Sequence, residues 1–179
     1  LAPSRRCGDT PRMTITSERW AAVLAAAACA LVLGAALAVE RFGGLAPCAL
    51  CLLERWPWRI AVVLGLLALL LPRRAARATL GVLALVMLGG AVLASVHVGV
   101  EQSLIPDPLP QCAGPRVTPG LSIAQRLAAM PAHPAKPCGD PTFLIPGLPL
   151  SMSALDAIAA LALCLALAAY LWRSGRRAA

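Results

Sequence analysis

Four stretches of the chain, at 20–39, 51–71, 79–100 and 155–172, are almost free of Asp, Glu, Lys and Arg. The first and third contain none over 20 and 22 residues. The second carries Glu54, Arg55 and Arg59 near its start, and the fourth carries only Asp156. A helix needs ~20 apolar residues to cross a hydrocarbon layer ~30 Å thick. Each stretch therefore predicts a membrane-spanning helix. The first is long for the apolar part of a secretory signal, and no clean small-x-small cleavage site follows it, so it is read as a retained span. The expected fold is all-α, an integral membrane four-helix bundle over 20–172.

The connections differ in kind. Segment 40–50 is a short Gly/Pro turn running into Cys48, Ala49, Leu50 and Cys51. Segment 72–78 is tight, which makes spans two and three antiparallel neighbours. Segment 101–153 holds 11 of the 16 prolines, which argues against a sheet or a long helix there. Within it, Leu121, Ile123, Ala124, Leu127 and Ala128, with Gln125 and Arg126 between them, suit a short amphipathic helix on the membrane surface. An irregular loop with one helical turn suits them equally. Ser153 and Asp156 resemble an N-cap arrangement for the last span.

Composition supports the membrane reading: 59% of residues are hydrophobic and 13% charged, against about 25% charged in soluble domains. The net charge of +8 lies entirely in residues 1–19, the 72–78 link and the tail 173–179. Segment 101–153 is neutral. Basic residues mark the cytoplasmic side of short membrane loops. Both termini are thus expected in the cytoplasm, with 40–50 and the long Pro-rich loop outside, and no nucleic-acid partner is implied. The chain opens on Leu1, and Met13 stands before the first span. Residues 1–12 are read as an upstream extension, or Leu1 as an alternative start.

Topology sorts the seven cysteines. Cys29 and Cys164 fall inside apolar spans, where a free thiol acts as a small hydrophobe. Cys7 lies in the N-terminal extension. Cys48, Cys51, Cys112 and Cys138 are all expected on the outer side, where disulfides persist. Cys48 and Cys51 have the spacing of thiol-exchange enzymes and sit at a helix start, where unpaired N–H groups and the helix dipole favour a thiolate. Arg55 follows Cys51 by one turn and supplies a permanent cation. At membrane depth it is a functional candidate; the plainer readings are snorkelling or pairing with Glu54. Arg59 is read as snorkelling. Cys112 and Cys138 are 26 positions apart, a spacing that leaves a structural staple and an exchangeable, exposed disulfide both open. His97 and Glu101 share a helix face and are candidates to contact a ligand near Arg55; an interfacial His and a solvated Glu are the alternative.

The stretch Pro47-Cys48-Ala49-Leu50-Cys51-Leu52-Leu53-Glu54-Arg55, together with four spans and a second cysteine pair between the last two, resembles the bacterial disulfide bond formation protein B (DsbB) family. His97-Val98-Gly99-Val100-Glu101 is similar to the end of the third span in part of that family. Gln102 departs from members with His after the acid, and Phe143 is the only aromatic shortly after Cys138. The resemblance implies a quinone-dependent protein-disulfide oxidoreductase of the bacterial inner membrane. Cys112 would take a reduced periplasmic DsbA-like thioredoxin-fold protein into a mixed disulfide, and Cys138 would exchange with Cys48. Cys51 would then pass electrons to ubiquinone or menaquinone, with Arg55 holding the quinone oxygen. No metal is expected. A vitamin K epoxide reductase-like enzyme is the rival reading, but its CxxC usually falls late in the chain. A closed four-cysteine metal site is a further rival, disfavoured by the spacing of Cys112 and Cys138.

Overall fold

A computed structural model describes residues 17–113, 120, 122–128, 136–144 and 147–176. Cys7, Met13 and the proposed extension 1–12 lie outside the described residues. The chain forms α1 (Ser17–Gly43), α2 (Ala49–Leu70), α3 (Arg73–Glu101), a 3-10 turn (Pro110–Ala113), the short α4 (Ile123–Ala128) and α5 (Met152–Arg176). Among the described residues there is no strand, only an isolated bridge between Phe143 and Ser151. α1 packs on α2, α2 on α3 and α3 on α5.

Three helices, α1, α3 and α5, are long and apolar enough to cross a membrane. α2 has the length, at 22 residues, but its three early charges lower its apolarity. The expected spans 20–39, 79–100 and 155–172 lie within α1, α3 and α5, and 51–71 overlaps α2 except for its last residue, Leu71, which caps the helix before Pro72.

The bundle is held by small side chains rather than by large ones. Ala22, Ala25, Ala61, Ala68, Ala76 and Ala160 are all buried in the main cluster, around Leu80, Leu83 and Met87. Without a hydrophobic driving force between helices in lipid, close backbone approach supplies the packing contact. Gly65 shows how close: a Cβ placed there would stand 2.8 Å from the Ala26 Cβ and 3.1 Å from its Cα. Cys29 is fully buried in this cluster and Cys164 packs against it, so both do serve as small hydrophobes.

The tight 71–72 connection brings the starts of α1 and α3 together. Arg73 Nε donates to Glu18 Oε1 at 2.7 Å, and Arg77 donates to Ser174 Oγ at 2.7 Å on the end of α5. The basic ends thus converge at one end of the bundle. The other end carries the α1–α2 turn, where Gly44, at φ +65°, takes the left-handed conformation that ends a helix.

α4 spans six residues, inside the predicted 121–130 island. Ser122 accepts from the Gln125 amide and donates to its side chain, a reciprocal cap. The start of α5 differs from expectation. Ser151 caps it, its Oγ accepting from Ala154 N at 3.3 Å and pairing with Ser153 Oγ at 2.9 Å. The helix therefore begins before Ser153, and Asp156 lies about a turn inside it.

Candidate functional site

Cys48 is the N-cap of α2, with an extended backbone at φ −77° and ψ 171°. That conformation turns its side chain back over the first turn, where helix N–H groups have no intrahelical acceptor. The Cys48 Sγ takes the place of the usual capping oxygen. It accepts from the Cys51 amide at 3.1 Å, and the Cys51 sulfur is 2.7 Å away. The Cys51 thiol, with the amide assisting, holds Cys48 below the ordinary thiol range against the opposing pull of burial. From the sequence, the helix start favours a thiolate at either Cys48 or Cys51, with Arg55 beside the second. The cap geometry instead directs the helix N-terminus at Cys48, because an N-cap side chain folds over the helix start and one a turn later projects sideways.

His97, near the end of α3, stands between two groups of α2. Its Nδ1 is 2.8 Å from Glu54 Oε1, and its Nε2 is 3.6 Å from Cys48 Sγ. With the Glu54 carboxylate accepting from Nδ1–H, Nε2 is the ring nitrogen that faces the sulfur, placed to exchange a proton with it. His97, Glu54 and Cys48 are all buried. Sequence reasoning placed His97 near Arg55 and missed Glu54 as its partner. The signal that would have found it is i, i+3 periodicity: Glu54 follows Cys51 by three positions, on the face that turns toward α3.

Arg55 pairs with Glu40 rather than Glu54: its Nη1 is 2.6 Å from Glu40 Oε2 on the last turns of α1. Arg59 instead reaches over the Trp56 ring at 5.5 Å, an external position in keeping with snorkelling. Glu101 is half-buried at the rim. Cys51, Glu54, Arg55, His97 and Glu101 all line one cavity of ≈ 250 Å³, with Val32, Leu33 and Val39 of α1 forming an apolar wall. The cavity also reaches Trp58 and Asp156, neither of which sequence reasoning had placed at the site. Trp58 Nε1 donates to Asp156 Oδ1 at 2.8 Å, bridging α2 and α5.

Cys112 and Cys138 form a disulfide. It is not exposed: the two residues are 1% and 0% accessible. They pack with Cys48, Leu50 and Val100 in a second apolar cluster, against which Cys51 also rests. The loop is docked there by its own backbone, with Cys138 N donating to Cys112 O and Met152 N donating to Thr142 O at 2.7 Å. Lys136 Nζ adds a bond to Thr142 Oγ1 at 2.8 Å. Because two of the four cysteines are joined to each other, the closed four-thiolate metal site is not formed. Pro57 does not break α2; its ring fits against Gly90 of α3, where an added Cβ would lie 3.0 Å from it.

Two cysteine pairs packed together, one bridged and one free, leave a route for thiol–disulfide exchange inside an apolar helical protein. That combination belongs to the membrane disulfide oxidoreductases. Within that class the chain is a member of the DsbB family: it matches the family described as disulfide bond formation protein DsbB over residues 18–170, most of its length. No curated protein and no solved structure matches it.

Proposed function

We propose that the protein reoxidises a reduced periplasmic DsbA-like thioredoxin-fold protein and passes the electrons to a membrane quinone, ubiquinone or menaquinone, sustaining disulfide formation in exported proteins. The observation that carries this reading is the contact order in the outer half of the bundle: loop disulfide against Cys48, Cys48 against Cys51, Cys51 against a cavity with an apolar wall. Electrons leaving a soluble dithiol meet these groups in that sequence.

In this reading α2 is the fourth span, both termini are cytoplasmic, and the loop 101–153 lies in the periplasm at the inner membrane. The Arg73–Glu18 and Arg77–Ser174 contacts, gathered at the end away from the cysteines, support that orientation. The partner thiolate attacks Cys112. The released Cys138 thiolate then attacks Cys48 of a Cys48–Cys51 disulfide, and Cys51 leaves with the electron pair. His97 Nε2 takes or returns the proton of Cys48, held in the required tautomer by Glu54. The burial of Cys112 and Cys138 requires the loop to lift before a partner can reach it.

The residues around Cys51 suit a quinone: an apolar wall for its ring and tail, Arg55 for an oxygen, and a buried Asp156 Oδ2 with no hydrogen-bond partner among the described residues. When bound, a quinone accepts two electrons and two protons. Arg55, kept in place by Glu40, would hold a ring oxygen, and Glu101 stands at the rim.

The test is quinone reduction by the purified protein with a reduced thioredoxin-fold partner, followed by quinone absorbance. Cys48→Ser and Cys51→Ser are expected to abolish it, and Cys112→Ser to block entry from the partner only. Full activity in Cys51→Ser would end this mechanism.

A further inference from the structure

Asp156 is the unusual group in the cavity. Glu54 is engaged by His97, and Glu40 by Arg55. Asp156 spends one oxygen on Trp58, while Oδ2 is shielded from solvent and meets no donor or acceptor among the described residues. A buried polar atom without a partner is rare in a folded protein and calls for an explanation. If the carboxyl is ionised, Oδ2 lacks a donor. If it is protonated there, the hydroxyl lacks an acceptor. Asp156 lines the cavity with Cys51 and Arg55, so a ligand seated there that draws the carboxyl round supplies the missing partner.

The bridge to Trp58 also has a geometric consequence. α2 and α5 are not extensively packed on each other; α5 leans on α3. The Trp58 indole, itself 3% exposed, reaches across to α5 and fixes which carboxyl oxygen is committed. The other oxygen is left uncommitted. A carboxyl needed only to brace the two helices would be expected to satisfy both oxygens.

We propose that Asp156, aimed by Trp58, is a second polar subsite of the cavity, binding the ring oxygen of a quinone or hydroquinone and delivering a proton to it. This rests on the quinone reading above. The balance is as follows. Two S–H bonds at Cys48 and Cys51 break and one S–S bond forms, releasing two electrons and two protons. The quinone gains two O–H bonds. Asp156 gives its Oδ2 proton to one oxygen and is reprotonated by one of the two that the thiols release, so it is unchanged over the cycle.

The test uses the full-length protein in detergent, with decylubiquinone as the probe. Three quantities are measured: its equilibrium affinity, its steady-state reduction, and the exchange of the Cys112–Cys138 disulfide with a reduced thioredoxin-fold partner in quinone-free protein. Asp156→Asn keeps the shape and an acceptor for Trp58 but has no proton to give. It is expected to bind decylubiquinone within about threefold of the parent while kcat falls ~10²-fold, the scale of a general acid. Asp156→Leu is expected to lose about tenfold in affinity, the worth of one strong hydrogen bond. Partner exchange should be unchanged in both. Trp58→Phe, which removes the group that aims the carboxyl, gives an independent arm and should lower kcat several-fold without moving exchange, roughly in line with a misplaced acid.

Affinity and kcat within twofold of the parent in the Asp156 variants would overturn the assignment while leaving the quinone reading intact. A parent protein that neither binds nor reduces decylubiquinone would overturn both.

Discussion

Replacing Cys51 by alanine should weaken the acidity of Cys48, although the two thiols are usually treated as separate actors. As a thiolate, Cys48 Sγ receives two hydrogen bonds, from the Cys51 thiol, whose sulfur is 2.7 Å away, and from the Cys51 amide at 3.1 Å. The substitution removes the first and keeps the second, because the amide belongs to the backbone. A hydrogen bond to a charged acceptor is worth about 1.5–3 kcal/mol, and about 1.36 kcal/mol corresponds to one pH unit of titration. The midpoint for Cys48 should therefore rise by roughly one to two pH units. The sign follows from what is bonded: the lost donor stabilised only the thiolate, and the burial that disfavours the thiolate is left behind. At any pH below both midpoints the thiolate would be ~10- to 100-fold scarcer, in proportion to that rise. The assay is the ultraviolet absorbance of the thiolate against pH, in a background with Cys7, Cys29 and Cys164 replaced by alanine and the loop disulfide intact. The parent midpoint should lie below the free-thiol value of ~8.5. An unchanged or lower midpoint in Cys51→Ala would refute the cap geometry as the source of Cys48 acidity.

Other consequences can be tested separately. Glu54→Gln keeps a hydrogen-bond acceptor but removes the charge that orients His97; the exchange between Cys138 and Cys48 should slow by ~10-fold or more, as for loss of a charged hydrogen bond, in rapid-mixing quench experiments. Arg55→Ala should raise the quinone KM by about tenfold and leave partner exchange alone, and Glu40→Gln should do the same more weakly, since half of that pair is partly exposed; quinone titrations give both numbers. Gly65→Val should cost about 1–3 kcal/mol by overpacking against Ala26, read as a lower denaturant midpoint. Gly34→Ala, where the added Cβ meets nothing within 4 Å, should show no such loss.

The long helices and the cysteine pairs were readable because both rest on local pattern. Apolar runs at 20–39, 79–100 and 155–172 mark α1, α3 and α5 directly, and CxxC spacing marks Cys48 and Cys51 in a contiguous stretch. The partners of the charges were not readable, since they depend on which helix faces which. Glu40 and Arg55 are 15 positions apart, Glu54 and His97 are 43, and Trp58 and Asp156 are 98. Only packing brings such pairs to hydrogen-bond distance. The burial of the loop disulfide was likewise hidden: a neutral, Pro-rich segment looks solvent-exposed, and what buries Cys112 and Cys138 is the small apolar cluster with Leu50 and Val100. Asp156 was misplaced for a local reason, as Ser153 offered a cap and Ser151 took it.

The charges in the first half of α2 also explain how it is held. Ionisable groups at membrane depth are costly unless paired, and the polar residues in the first turns of α2 each meet a different helix. Arg55 meets Glu40 of α1, Glu54 meets His97 of α3, and Trp58 meets Asp156 of α5. Three bonds thereby converge on the half of α2 that begins with Cys48. An apolar replacement at any one of them would leave its partner on another helix unpaired, the buried His97 most of all, so the site and the register of the bundle are maintained by the same contacts. This arrangement suits the proposed cycle, in which covalent bonding at Cys48 and Cys51 changes on every turnover. The sulfurs are free to exchange partners, while the helices around them are tied by bonds that the exchange never breaks.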